Sequence, residues 1–468
     1  MMVGRPLSGV SMKSEWKVRG MSQIGSKEGE REGAAPDVSS LRGRWLSWVF
    51  ALALLFAPAL ASGQVRGLVS GPGQTSFPII VSPLAGGDAA SAVFGRTLRR
   101  DLEISGFFRV LPVTATAEPD VDGQIAYRRW SEAGARFLVA GTYRSAGSGF
   151  AIEVRLYDVI EGRIVGGKAY QGSVSDLPRM AHRFADEILR LVTGEPGPFD
   201  TEIAFISTRE GKFKELWVMR FDGGGLRQLT RNQTINISPS WAPGGKSLLY
   251  TSYRDGRPGL YEVDVATQRR RRVLGGAGLV VGGVYSPSGR EIAVAREEAR
   301  GDTEIVILEN SGRTLGVVAR DQAIDVSPTW APDGRRLAFC SSRGGTPQIY
   351  VADLGGGGPP RRVTFQGSYN TAPAWSPRGD RIAYIGRVGG TFQIFVLDLA
   401  TGRTRQITAG PGDNTDPSWA PDGRFLVFSS TRAGRAELYV TDWLGRRAHR
   451  LITGPGGDTS PAWSPRLG

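Results

Sequence analysis

Cysteine and histidine are almost missing from this chain: 468 residues contain Cys340, His182, His449 and no others of either type. One cysteine excludes an intramolecular disulfide framework and any multi-cysteine metal site. Cys340 lies in the apolar run LAFC and reads as a small buried hydrophobe, not a reactive thiol. The two histidines are far apart, and neither neighbours a second ligand-type residue at metal-binding spacing. Both read as ordinary surface or half-buried residues, and no cofactor is expected. A G-x-S-x-G elbow is also absent, which argues against a serine hydrolase. So is any aromatic-interleaved basic motif, which argues against nucleic acid as a partner.

Long apolar runs are missing too, with one exception near the start. Arg42 and Arg44 precede a mostly apolar run of twelve residues, Trp45 to Phe56, followed by Pro58 and the triplet Ala59-Leu60-Ala61. This is the n-region, h-region and A-x-A site of a secretory signal, and the run is too short to span a bilayer. Cleavage after Ala61 would start the mature protein near Ser62, in an exported compartment. Residues 1–40 are polar and unpatterned. Either the chain starts later, for instance at Met21, or the native n-region is long.

Charge is unevenly spread. Residues 62–200 are balanced, whereas residues 201–468 hold 35 basic and 25 acidic residues, a net +10 of the chain's +13. An excess of that sign favours acidic protein surfaces or anionic envelope polymers. The run QRRRR, Gln268 to Arg272, reads as a solvated loop or an edge strand blunted by charge.

What the chain has in abundance is glycine (65), proline (28) and tryptophan (11), a composition suited to short strands joined by tight turns. One phrase recurs: SWAPGGK at Trp241, VYSPSGR at Tyr285, TWAPDGR at Trp330, AWSPRGD at Trp375, SWAPDGR at Trp419 and AWSPRLG at Trp463. The spacings are 44, 45, 45, 44 and 44 residues. A constant period of that length with strand-like content predicts a β-propeller, one four-stranded blade per repeat. The proline and glycine of each phrase suit the turn after the first strand. Asp264, Asp353, Asp398 and Asp442 close third strands, where a carboxylate can accept from turn amides. The last copy stops after one strand, and residues 201–230 contain three strands with no such phrase before them. Together they make a sixth blade from both chain ends, closing the ring without free edges.

Ahead of the ring the pattern changes. FPIIVSPL reads as a buried strand, Ala89 to Ser105 as a helix ending at Gly106, and RFLVAGTYR and FAIEVRLYDV as strands. Asp176 to Thr193 reads as an amphipathic helix with Leu177, Met180, Ala181, Phe184, Ile188 and Leu191 on one face, stopped by Gly194. The expected architecture is multidomain: a signal segment over 1–61, a small N-terminal α+β domain over 62–194, a linker at 195–200, and a six-bladed β-propeller over 201–468.

The repeats resemble those of the TolB family, the periplasmic propeller component of the Tol-Pal envelope system. So do QVRGLV after the cleavage site, DLEISGFF, LVAGTYR, the junction AHRFADEILRLVTGEPGPFDTEIAFI, and the ending PAWSP. The resemblance covers residues 64–468. It implies a non-enzymatic, monomeric periplasmic scaffold that binds the lipoprotein Pal through one propeller face. It further implies communication with TolA through the mature N-terminus, here Gln64, Val65 and Arg66, and a role in outer-membrane integrity and constriction at division. Family partner contacts gather just before each Trp-containing strand. The matching positions are Asn236, Asp325, Asn370, Thr371, Asn414, Thr415, Asp416, Asp458 and Thr459; the copy before Tyr285 reads VVGGV and departs from the pattern. The rival readings are a propeller gripping a glycan or metabolite in its channel, and a propeller capping a peptidase.

Overall fold

The structure, a computed structural model, describes residues 76–467 apart from 114–124, 148, 276–277, 299–301 and 453. The signal segment, Ala61, Gln64, Val65 and Arg66 lie outside the described residues. No helix among the described residues is long and apolar enough to cross a membrane.

The N-terminal domain contains β1 (Phe77–Val81), α1 (Ser91–Ser105), β2 (Phe108–Val110), α2 (Tyr127–Glu132), β3 (Phe137–Ala146), β4 (Gly149–Asp158), β5 (Arg163–Ser173) and α3 (Leu177–Thr193). The sheet order is β2-β1-β3-β4-β5, with β1 parallel to β2 and β3 and the remaining pairs antiparallel. The helix α1 starts two residues after Ala89 because Asp88 holds the preceding turn, its carboxylate accepting from the Ser91 amide at 2.8 Å. Both helices stop where the sequence places glycine in the left-handed conformation, Gly106 at φ 67° and Gly194 at φ 85°. The strand β5 is not foreseen by alternation. It is an edge strand with exposed residues on both faces, and Gly166 leaves the space that Leu191 of α3 fills; a Cβ there would meet Leu191 at 2.8 Å.

Six four-stranded blades follow. Blade 1 is composite, Asp458–Trp463 pairing antiparallel with Glu202–Ser207, as the sequence predicts. The innermost strands are Asp458–Trp463, Asn236–Trp241, Val280–Tyr285, Asp325–Trp330, Asn370–Trp375 and Asn414–Trp419 for blades 1 to 6. Each packs beside the next, and the first and last blades meet. Tryptophan indoles join neighbouring blades: Trp241 donates to the Ala462 carbonyl and Trp419 to the Ala374 carbonyl, each at 2.9 Å. The aspartates closing third strands behave as expected, with Asp264, Asp353, Asp398 and Asp442 each accepting from a turn amide. Cys340 is buried. Arg270 to Leu274 forms the outer edge strand of blade 2.

One apolar cluster runs from α1 and α3 through Phe199 into Phe221, Val440 and Trp463 of the propeller. Polar contacts reinforce that junction: Asp186 accepts from the Phe199 and Asp200 amides, and Arg424 donates to the Pro196 carbonyl at 2.9 Å. His182 corrects the sequence reading. It is 1% exposed, its Nδ1 lies 2.7 Å from Asp101 of α1, and its Nε2 is 3.7 Å from Asp222 of blade 1. Burial drives the His182 pKa down, but the Asp101 carboxylate beside it outweighs that and leaves it above the ordinary value. Asp101 is pushed up to about 6 by its own burial. The partner lies 81 residues away in sequence, so no local spacing announces the pair.

Candidate functional site

The six innermost strands begin at one mouth of the channel and share a two-sided layout. Their first residues are Asp458, Asn236, Val280, Asp325, Asn370 and Asn414, all no more than 3% exposed. These side chains point into the seams between blades. Asn236 donates to Glu215 of blade 1, Asn370 to Gln348 of blade 4, and Asn414 to Gln393 of blade 5. In each case a threonine two residues past the preceding outer strand completes the set, Thr230, Thr364 or Thr408 donating to that same acceptor side chain. The seam before Val280 replaces the whole set with Gly259, Leu274 and Val280, so its polar members are lost together.

A second recurring group was not singled out in the sequence, although it is written there as STR, SSR and STR. Arg209, Arg343 and Arg432 each lean on the serine two residues back. They reach the first inner-strand residue, Asp458, Asp325 or Asn414, at 2.7 Å. Each guanidinium also lies over two aromatic rings; for Arg432 these are Phe428 and Tyr439, at 5.5 and 4.7 Å. These contacts fix the blade ends that form the mouth.

The third residue of every inner strand is left-handed: Ser238, Ser327, Ala372, Asp416 and Ser460 have φ from 47° to 55°, and Gly282 has 71°. Five non-glycine residues in that region, one per blade, impose a bulge that turns these positions toward the axis. With the prolines that follow, they line a channel cavity of about 200 Å³. Asp416 is the one carboxylate lining it. Burial pushes its pKa up, and Ser460 Oγ is 3.3 Å away. Thr371, Thr415 and Thr459, each one residue before a left-handed position, are half-buried.

Exposed apolar surface occurs one residue earlier, immediately before the inner strands. Ile235 is 47% and Ile324 58% exposed at equivalent positions of blades 2 and 4, with half-buried Leu279 and Tyr369 at those of blades 3 and 5. Tyr369 packs on Phe392, ring centroids 5.7 Å apart, while Phe365 (73%) and Val388 (43%) extend the arc outward. Exposed Lys212, Lys214, Arg231 and Arg387 border it. Sequence reasoning located the mouth and took the polar strand residues as its contacts. The signal for part of the apolar arc was the residue before Asn236, Asp325 and Asn370.

Asp325 departs from its asparagine counterparts in an informative way. Among the described residues its Oδ1 has no hydrogen-bond partner, and neither has Oε2 of Glu304 in the same seam. Burial pushes Asp325 up to about 6, against the opposing pull of Ser341 and Arg343, and burial also raises Glu304, with Asp325 adding to the effect. In the equivalent seams Asn236 donates to Glu215, and Asn414 accepts from Arg432. Asp325→Asn is therefore expected to fold normally and gain about 1 kcal/mol at pH 7.5. A carboxyl whose folded pKa lies above its unfolded one stabilises below about pH 4 and loses that contribution as pH rises through about 6. The melting-temperature gain of the variant should thus be larger at pH 7.5 than at pH 5 by calorimetry. An equal gain at both, or a loss, would contradict the seam assignment.

Comparison with known proteins gives two matched regions. Residues 189–467 match the family description "TolB beta propeller domain" and residues 68–165 match "TolB amino-terminal domain". A relative from Anaeromyxobacter dehalogenans, named Tol-Pal system protein TolB, is 41% identical over 288 residues, 60% of this chain and 66% of its own length. A Chlorobium luteolum protein named TolB homolog is 33% identical over 65% of this chain and 70% of its own. The chain thus spans just under two thirds of the Anaeromyxobacter relative. Among solved structures, TolB from Acinetobacter baumannii is similar with a TM-score of 0.76 at 28% identity, covering 84% of this chain and 97% of that one.

Proposed function

The chain belongs to the TolB family, and from that premise we propose that it is a periplasmic, non-enzymatic scaffold of the Tol-Pal system. It binds Pal through the propeller mouth and communicates with TolA through the mature segment that begins near Gln64, Val65 and Arg66. It acts as a monomer without a cofactor, and it supports outer-membrane integrity and constriction during division.

The observation that carries this reading is the apolar arc of Ile235, Ile324, Phe365 and Val388, bordered by cations, at the mouth where six strands begin. Exposed apolar side chains gathered at one mouth beside cations are what a protein partner covers. The buried residues Asn236, Asp325, Asn370, Asn414 and Asp458 then position the mouth, Asp416 lines the channel, and Thr371, Thr415 and Thr459 are half-buried contacts beside those strand ends. Gripping a glycan or metabolite in the channel is less well supported. Ligand sites commonly run to about 300 Å³ or more, and the channel cavity is about 200 Å³.

Titration calorimetry of the mature protein with the soluble domain of Pal tests the reading. Saturable one-to-one binding is expected. An absence of binding at high micromolar concentrations of both proteins would overturn it. Cell fractionation should find the protein in the periplasm, starting between Ser62 and Gln64.

A further inference from the structure

A second surface, away from the mouth, gathers arginines from segments some 350 residues apart in sequence. Arg96, Arg99, Arg100 and Glu103 lie at helical neighbour spacing on one side of α1. Facing them is the turn from Asp442 to the outer strand Ala448–Arg450 of blade 6, with Arg446, Arg447, His449 and Arg450. Two adjoining hollows result, of about 600 and 450 Å³, which share Glu103, Ile104 and His449 as their common wall. Arg109 belongs to the larger hollow.

The local charge is not neutralised. Of the seven arginines around the hollows only Arg446 and Arg450 pair with carboxylates, Asp442 and Glu437. Arg99 and Arg100 donate to the carbonyls of Val81 and Leu451, which positions the guanidinium groups without cancelling their charge. Arg96, Arg109 and Arg447 make no hydrogen bond or ion pair with other described residues, and all three are exposed. Arg96 and Arg100 are like charges one turn apart, which weakens a helix; Glu103 offsets Arg99, and a bound anion would offset the charge that is left. His449 reports the same field: burial lowers its pKa, and the nearby Arg447 and Arg100 lower it further.

We propose that this groove between α1 and blade 6 binds a ligand carrying clustered phosphate groups. Planar guanidinium forks suit phosphate oxygens bidentately, and two hollows meeting at one wall suit two or more oxyanions held close together. Both a phospholipid headgroup surface and a soluble polyphosphate present that chemistry. An anion in either hollow also favours protonated His449, so binding takes up a proton and tightens as pH falls. The groups that set this response are Arg100, Glu103 and Arg96 on the α1 side, and Arg447, Arg446, Arg450 and Asp442 on the blade side.

The test uses the mature protein with two probes. These are sodium tripolyphosphate by calorimetry, and vesicles of phosphatidylglycerol in phosphatidylcholine by sedimentation, both at 150 mM salt. Binding of tripolyphosphate alone supports a soluble source, and binding of the vesicles supports a headgroup. Arg96→Glu combined with Arg447→Glu should weaken whichever binding occurs at least tenfold, whereas Arg269→Glu on the exposed edge of blade 2 should leave it unchanged. His449→Gln should abolish the gain in affinity between pH 7.5 and pH 5.5. Binding of neither probe overturns the proposal. So does equal weakening by Arg269→Glu, which would reveal attraction to net charge alone. Thermal melts confirm that each variant is folded.

Discussion

Deleting residues 459–468 is expected to abolish the cooperative melting transition and to turn a monomer into aggregate. The removed segment is the innermost strand of blade 1, paired with Glu202–Ser207 through Thr459, Ala462 and Trp463. Its loss exposes the edge of that neighbour and breaks the ring at the contact between first and last blades. Trp463 is 6% exposed, stacks on Phe221 at 5.5 Å, and donates through Nε1 to Thr201 at 2.8 Å. It belongs to the apolar cluster that joins the propeller to α1 and α3, so its loss reaches both domains. Trp463→Ala alone should cost about 3–5 kcal/mol, from lost burial and the cavity left behind. Domains of this kind have about 5–15 kcal/mol in total. The point variant should therefore remain folded with a clearly lowered melting temperature, and the deletion should not. Calorimetry with size-exclusion chromatography separates the two outcomes. A truncated protein that melts and elutes like the full one would contradict closure by the C-terminal strand.

Ile324→Glu together with Phe365→Ala is expected to weaken Pal binding more than a hundredfold while leaving the fold intact. Truncating an apolar anchor that the partner covers commonly costs about 2 kcal/mol or more, and a buried charge in its place costs further. Two such changes exceed the roughly 2.8 kcal/mol that a hundredfold represents. Both side chains are largely exposed in the free protein, 58% and 73%, so stability should change little. Asn414→Ala should behave differently. Asn414 is fully buried between Gln393 and Arg432, so any loss of binding there should come with a lowered melting temperature. The pairing of binding and stability therefore separates residues that touch the partner from residues that hold the mouth in shape.

The architecture was legible because a propeller writes its own period. Each blade repeats the same turn and the same tryptophan, so 44- and 45-residue spacings count the blades directly. The composite blade was legible for a related reason, since an orphan strand at one end matched a missing strand at the other. Helix ends in the N-terminal domain were announced by Gly106 and Gly194, whose left-handed conformation other residues adopt at a cost.

What escaped the sequence depends on contacts between distant segments. The sequence reading took Asn236, Asn370 and Asn414 as partner contacts, and nothing local shows that Glu215, Gln348 and Gln393 draw their side chains into the seams. The burial of His182 beside Asp101 and the hollows near His449 are likewise set by domain packing. The edge strand Arg163–Ser173 lacks the alternation that marks half-buried strands, because both its faces are largely exposed.

The most direct measurement of the central claim is hydrogen–deuterium exchange of the mature protein with and without the soluble domain of Pal. The account expects new protection at the mouth, in peptides covering residues 231–236, 318–325, 363–370 and 388–392, and none in the outer strands of blades 2 and 4. Protection confined to Arg270–Leu274 or Arg361–Arg362, with the mouth unchanged, would contradict it.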